Sequence, residues 1–106
     1  MCIRDRRKNV RIIVADDCSG PEHLAALRRI RRIEVVEGDH NGGFAVNVNR
    51  GLGASDPKLD VVLLNSDVLV RRHWLASLQF AAQGPDVRIA GAKLLYPCLL
   101  YTSRCV

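Results

Sequence analysis

Short apolar blocks alternate with polar, glycine-rich punctuation along the whole chain. Val10 to Ala15 (VRIIVA) is β-branched and apolar, a pattern that predicts a buried strand. It stops at the polar turn Asp16-Asp17-Cys18-Ser19-Gly20, and Pro21 suits the first turn of a helix. Leu24, Leu27 and Ile30 then recur at helical spacing, with Arg28, Arg29, Arg31 and Arg32 mainly off that stripe, as on a solvated helix face. Ile33 to Glu37 reads as a second strand, residues 38–43 as a loop, and Phe44 to Leu52 as a short helix ending near Gly51 or Gly53. Asp56-Pro57 breaks the chain before a third apolar run, Val61 to Leu64, which delivers Asn65-Ser66-Asp67 at its carboxyl end. His73 to Gln83 predicts an amphipathic helix with Trp74, Leu75, Leu78 and Ala82 inward. Gly84-Pro85 ends it, and Val87 to Leu95 supplies a further strand. Alternation of this kind implies an α/β fold with a mainly parallel sheet.

At 106 residues the chain is one small domain or a piece of a larger one. Its hydrophobic share of 48% and charged share of 25% are those of a globular chain, which excludes intrinsic disorder as its class. No apolar run approaches the roughly 20 residues of a membrane span, and no signal-peptide pattern is present. A cytoplasmic address is the expectation, with the inner face of the membrane as the alternative for the full-length protein.

The two ends change that picture. DNA encoding Met1-Cys2-Ile3-Arg4-Asp5 has a reverse complement that, with short flanks, encodes Cys98-Leu99-Leu100-Tyr101-Thr102-Ser103. Unrelated natural termini do not mirror one another in this way. They resemble translated transposase-adapter sequence, so residues 1–6 and 98–106 are expected to be non-native and residues 7–97 to be the domain. Setting the ends aside lowers the formal charge from +5 to +3, because Arg4, Arg6 and Arg104 leave together with Asp5. The basic balance then calls for no nucleic-acid partner. Cys2, Cys98 and Cys105 also fall in those ends; Cys18 alone supports neither a disulfide framework nor a cysteine-based zinc site.

Candidate chemistry collects between Asp16 and Asp67. Ionised Asp16 and Asp17 are pure acceptors, suited to the donors of a nucleobase or ribose; alternatively one of them caps the following helix. Asn41, Gly42 and Gly43 allow a tight loop whose amides face a phosphate or sugar. Asn47 and Asn49 offer uncharged donors and acceptors beyond that loop. Asp67, after the third apolar run, is the candidate ligand for a hard divalent cation, Mg²⁺ or Mn²⁺, which prefers oxygen ligands and takes few from protein. His23, His40 and His73 share no ligand-like spacing, and neither Cys18 nor the serines sit in a nucleophile-and-base pattern.

Taken in order, VADDCS, NGGFAVNVNRG, VVLLNSDV with WLASL, and AGAKLLYP resemble the family 2 glycosyltransferases, nearest to the rhamnosyltransferase-like branch, over about Val10 to Pro97. The resemblance implies a partial GT-A, Rossmann-like domain that binds a nucleotide-diphosphate sugar donor, with a glycan or lipid-linked acceptor and a role in cell-wall polysaccharide synthesis. It implies base contact at Asp17, and a donor-site lining at Asn41, Gly43, Phe44 and Asn49. It also implies a metal motif, Asp-x-Asp or Asn-x-Asp, at Asn65-Ser66-Asp67, in which only Asp67 supplies a carboxylate. A first βα unit is expected ahead of VRIIVADD, and an acceptor half with the general base of an inverting transfer beyond Pro97. The expectation is therefore an internal fragment, inactive alone. A response-regulator receiver domain shares the acidic pair after a first strand, but its phosphoacceptor position falls on Asn65, and it leaves NGGFAVNVNRG unexplained. A noncatalytic α/β domain with Asp67 as a turn residue is the third reading.

Overall fold

The computed structural model describes residues 10–95, so the expected adapter-derived ends lie outside the described residues. The described residues separate into two compact units, residues 10–66 and residues 67–95.

The first unit is a βαβα arrangement. Strand β1 (Ile13–Asp16) leads through helix α1 (Pro21–Arg28) to strand β2 (Glu34–Glu37), and helix α2 (Gly43–Gly53) follows. The strands pair in parallel, with Ile13 opposite Glu34, Val14 opposite Val35, Ala15 opposite Val36 and Asp16 opposite Glu37. Backbone bonds from Glu34 N to Ile12 O and from Gly38 N to Asp16 O, both 2.8 Å, extend the ladder at each end. Parallel neighbours need a crossover, and α1 supplies it. Pro21 opens α1 as its fixed φ favours, while Gly20 occupies the cap position with no side-chain hydrogen bond. The expected capping of α1 by Asp16 or Asp17 is therefore not what the helix uses. Leu24 is buried, Leu27 half-buried and Ile30, past the helix end, exposed. Arg28 pairs with Glu37 at 2.7 Å. Arg29, Arg31 and Arg32 are exposed, in keeping with a solvated face.

Helix α2 lies close against β1: a side chain at Gly51 would come within 3.3 Å of Ala15 Cβ. Its amino end rests on Gly43, whose φ of +78° is the left-handed region that glycine enters without a Cβ penalty. Beyond it, Asp56 accepts Lys58 N at 2.9 Å on Oδ1 and Leu59 N at 3.1 Å on its carbonyl, the turn that Asp-Pro foreshadows.

Two expected strands are corrected. Val61 to Leu64 and Val87 to Leu95 form no strand; the sheet of the described residues contains β1 and β2 only. A β-branched run becomes a strand when another backbone accepts and donates along its length. None does so here, and Val61, Val62, Leu63 and Leu64 are all exposed.

The second unit contains helix α3 (Trp74–Ala81), shorter than the expected His73 to Gln83. His73 precedes it with φ 62°, and its carbonyl receives both Ser77 N and Ser77 Oγ at 3.0 Å. Leu75 is buried, Trp74 and Leu78 are half-buried, and Ala82 is exposed. Val87 N bonded to Gly84 O at 3.0 Å closes the Gly-Pro turn after the helix.

Candidate functional site

The carboxyl ends of β1 and β2, together with the amino end of α2, gather most of the singled-out polar residues of the first unit. β1 ends on Asp16, which is buried at 7% exposure. Its carboxylate turns back on its own loop: Ser19 N donates to Oδ2 at 3.1 Å and the Ser19 hydroxyl donates to Oδ1. Those bonds fold residues 16–19 into a tight turn with Cys18 at φ 63°. They also hold the Asp16 carboxyl below its ordinary range, led by the Ser19 hydroxyl and then the Ser19 amide, against the opposing effect of burial.

Asp17 points the other way, across to α2. Its Oδ1 accepts Gly42 N at 2.8 Å and its Oδ2 accepts Gly43 N at 2.9 Å. A carboxylate across two amides at a helix amino end is favourable twice over, by charge-assisted hydrogen bonding and by the helix dipole. Asn41 adds its Oδ1 to Gly43 N at 3.3 Å. The Asn-Gly-Gly loop thus turns its amides inward onto Asp17, where the sequence reading had them facing a phosphate or sugar.

Asn47 points inward and Asn49 outward. Asn47 Nδ2 donates to Ala15 O at 2.9 Å, tying α2 to the last turn of β1, while Asn49 is exposed. Phe44, in the first turn of α2, is 71% exposed. Arg50, on the Asn47 side of the helix, donates to Asn47 Oδ1 at 3.1 Å and stands 3.6 Å from Asp17 Oδ1. Sequence reasoning quoted Arg50 within its motif and assigned it no part. The available signal was its spacing of three from Asn47, which places both on one helical face.

Asn65 lies one residue before the end of the first unit and Asp67 falls in the second; both are exposed. Among the described residues, no group of three or more His, Cys, Asp or Glu is placed to hold a metal ion. The oxygen chemistry of Asp67 suits Mg²⁺ or Mn²⁺ as a single protein ligand, the arrangement in which water and phosphate complete the shell. No helix among the described residues is long and apolar enough to cross a membrane.

The family model for glycosyl transferase family 2 matches residues 2–97. This α/β chain belongs to glycosyl transferase family 2. No curated protein and no solved structure gives a significant match. Family membership favours the glycosyltransferase reading over the receiver one, and with it come a nucleotide-sugar donor and an acceptor as the class of partners.

Proposed function

We propose that this chain forms the donor side of an inverting glycosyltransferase, of the rhamnosyltransferase-like kind, that moves a sugar from a nucleoside diphosphate to a glycan or lipid-linked acceptor. The observation that carries the reading is Asp17 at the carboxyl end of β1, fixed by Gly42 N and Gly43 N at 2.8 and 2.9 Å. Ligands of open α/β sheets collect at the carboxyl ends of strands. An ionised carboxylate retains further lone pairs when each oxygen takes one amide, so Asp17 still has acceptor capacity for a base or ribose donor. Asp16, closed on Ser19, shapes the loop beneath; Asn41 and Gly43 border the same corner. Asn49 and Asn65, both exposed, are available to the sugar diphosphate. Asp67 would hold the divalent cation, which when bound would supply neutralisation of charge on the departing diphosphate.

Binding of uridine, thymidine and guanosine diphosphates with Mn²⁺, followed by calorimetry, tests this. Saturable binding of one of them is expected, weakened by about tenfold or more in Asp17→Ala, a loss of about 1.4 kcal/mol or more. Asp67→Ala is expected to abolish the Mn²⁺ dependence while the far-UV circular dichroism stays unchanged. Unaltered binding in both variants would remove the assignment.

A further inference from the structure

Arg50 lies under the candidate site. Its side chain is 18% exposed, low for an arginine on a helix surface. Nη1 donates to Asn47 Oδ1 at 3.1 Å and sits 3.6 Å from Asp17 Oδ1, and Nη2 sits 4.0 Å from Asp39 Oδ1. Asn47 in turn holds Ala15 O at 2.9 Å, so the chain of contacts runs from the β1 backbone through Asn47 and Arg50 to the Asp17 carboxylate. The guanidinium occupies space that Gly38 leaves open: a Cβ there would lie 2.7 Å from Arg50 Cζ and 3.0 Å from Asp16 O.

Two influences therefore act on Asp17. The Gly42 and Gly43 amides bond its two oxygens at the α2 amino end, and the Arg50 guanidinium stands 3.6 Å from Oδ1. Without Arg50, Asp17 keeps its amides but loses the cation that stands between it and the Asp39 carboxylate. A carboxylate held by its amides alone can tilt about them, and so presents its remaining lone pairs in a different direction to a ligand.

We propose that Arg50 is a positioning residue that orients the Asp17 carboxylate toward the nucleoside portion of the donor, in a slot that Gly38 keeps open. The inference rests on the donor-site reading of Asp17. Arg50 acts through Asp17 and not on the phosphates, so its loss should be felt by ligands carrying a nucleoside and not by pyrophosphate alone.

The test compares the tightest-binding of uridine, thymidine and guanosine diphosphates with inorganic pyrophosphate, both with Mn²⁺, on the full chain. Arg50→Met is expected to weaken the nucleoside diphosphate about tenfold, as loss of a charge-assisted contact does, and to leave pyrophosphate affinity unchanged. Arg50→Lys, which restores the charge without the planar fork, should recover most of that loss. Gly38→Ala, whose Cβ would displace the guanidinium without removing it and also crowd Asp16 O, should reproduce the selective loss and serves if Arg50→Met does not fold. Wild-type affinity in Arg50→Met or in Gly38→Ala, an equal loss for pyrophosphate, or no recovery in Arg50→Lys overturns the proposal. If the wild-type chain binds none of the three diphosphates, the donor-site reading falls and the inference with it. If wild type binds and the variants match it, the inference alone falls.

Discussion

Asp16 and Asp17 are neighbours in sequence with the same chemistry, and the fold gives them opposite work. Asp16 is the last residue of β1, faces inward, and is used up by Ser19. Asp17, one residue on, points to the other side, because successive side chains of an extended segment alternate. The Asp16 turn carries a pH signature. Its carboxyl is held below the ordinary value, chiefly by the Ser19 hydroxyl. A depressed folded-state value means that the stabilisation is fully present above the unfolded value of about 3.9 and disappears as pH falls through the folded one. Ser19→Ala should therefore be less stable than wild type at pH 6, and the gap should close as pH falls from about 5 to 2. Urea midpoints across that range check it, and a gap constant with pH would show that Ser19 does not act through the Asp16 charge.

At the scale of elements, the contact between Gly42 and α2 makes a sharper test than helix propensity does. Gly42 has φ −94° and ψ −5°, where alanine is at ease, so shortening the unfolded ensemble would ordinarily favour alanine by about 0.4–1 kcal/mol. Here a Cβ would lie 2.5 Å from Val46 Cγ1 and 2.8 Å from Val46 Cβ, and a branched side chain yields little room. Gly42→Ala should cost about 1–3 kcal/mol, as overpacking does. On a Val46→Ala background the approach to Cγ1 is gone and the 2.8 Å approach to the Cβ of residue 46 remains, so the cost should shrink without vanishing. A double-mutant cycle from thermal or urea unfolding measures that relief, and additivity would count against the steric account.

The elements legible in the sequence were those whose residues carry their own instructions. Val10 to Ala15 and Ile33 to Glu37 found each other across a short helical crossover, as β1 and β2 with slightly shifted bounds. Phe44 to Leu52 gained one residue at each end, Gly43 and Gly53. Val61 to Leu64 has the same β-branched and apolar character and makes no strand, because pairing is a property of two segments and propensity a property of one. The Asp17 latch was half legible. The acidic residue and the Asn-Gly-Gly loop were both singled out, yet their separation of 25 residues hid that one satisfies the other.

For the whole molecule, family membership assigns a transferase domain, while burial among the described residues is thin. Only Leu24 and Leu75 are buried apolar side chains there, one in each unit. Phe44, Leu69, Phe80 and Ile89 are exposed at 71, 94, 78 and 91%. Apolar surface on that scale seeks cover. The isolated chain is expected to bind a hydrophobic dye such as anilinonaphthalene sulfonate under native conditions, and to self-associate with rising concentration. Dye fluorescence and sedimentation velocity read the two effects, and a monomer that leaves the dye dark would contradict them. A nucleoside diphosphate that orders the first unit should lower the dye signal by stabilising the folded form through mass action.

Gly38 and Arg50 share one volume, and that sharing constrains the order in which either can change over descent. A side chain arriving first at position 38 meets the guanidinium and displaces it. Once position 50 carries something short, the guanidinium is out of the way and only the 3.0 Å approach to Asp16 O resists the change, which limits position 38 to a small side chain. Shortening position 50 first leaves a space that position 38 can later fill. Among chains descended from a common ancestor, glycine at 38 with arginine at 50, and alanine at 38 with a small residue at 50, should both occur. The combination of alanine with arginine should be missing, and the path between the two permitted states should run through position 50.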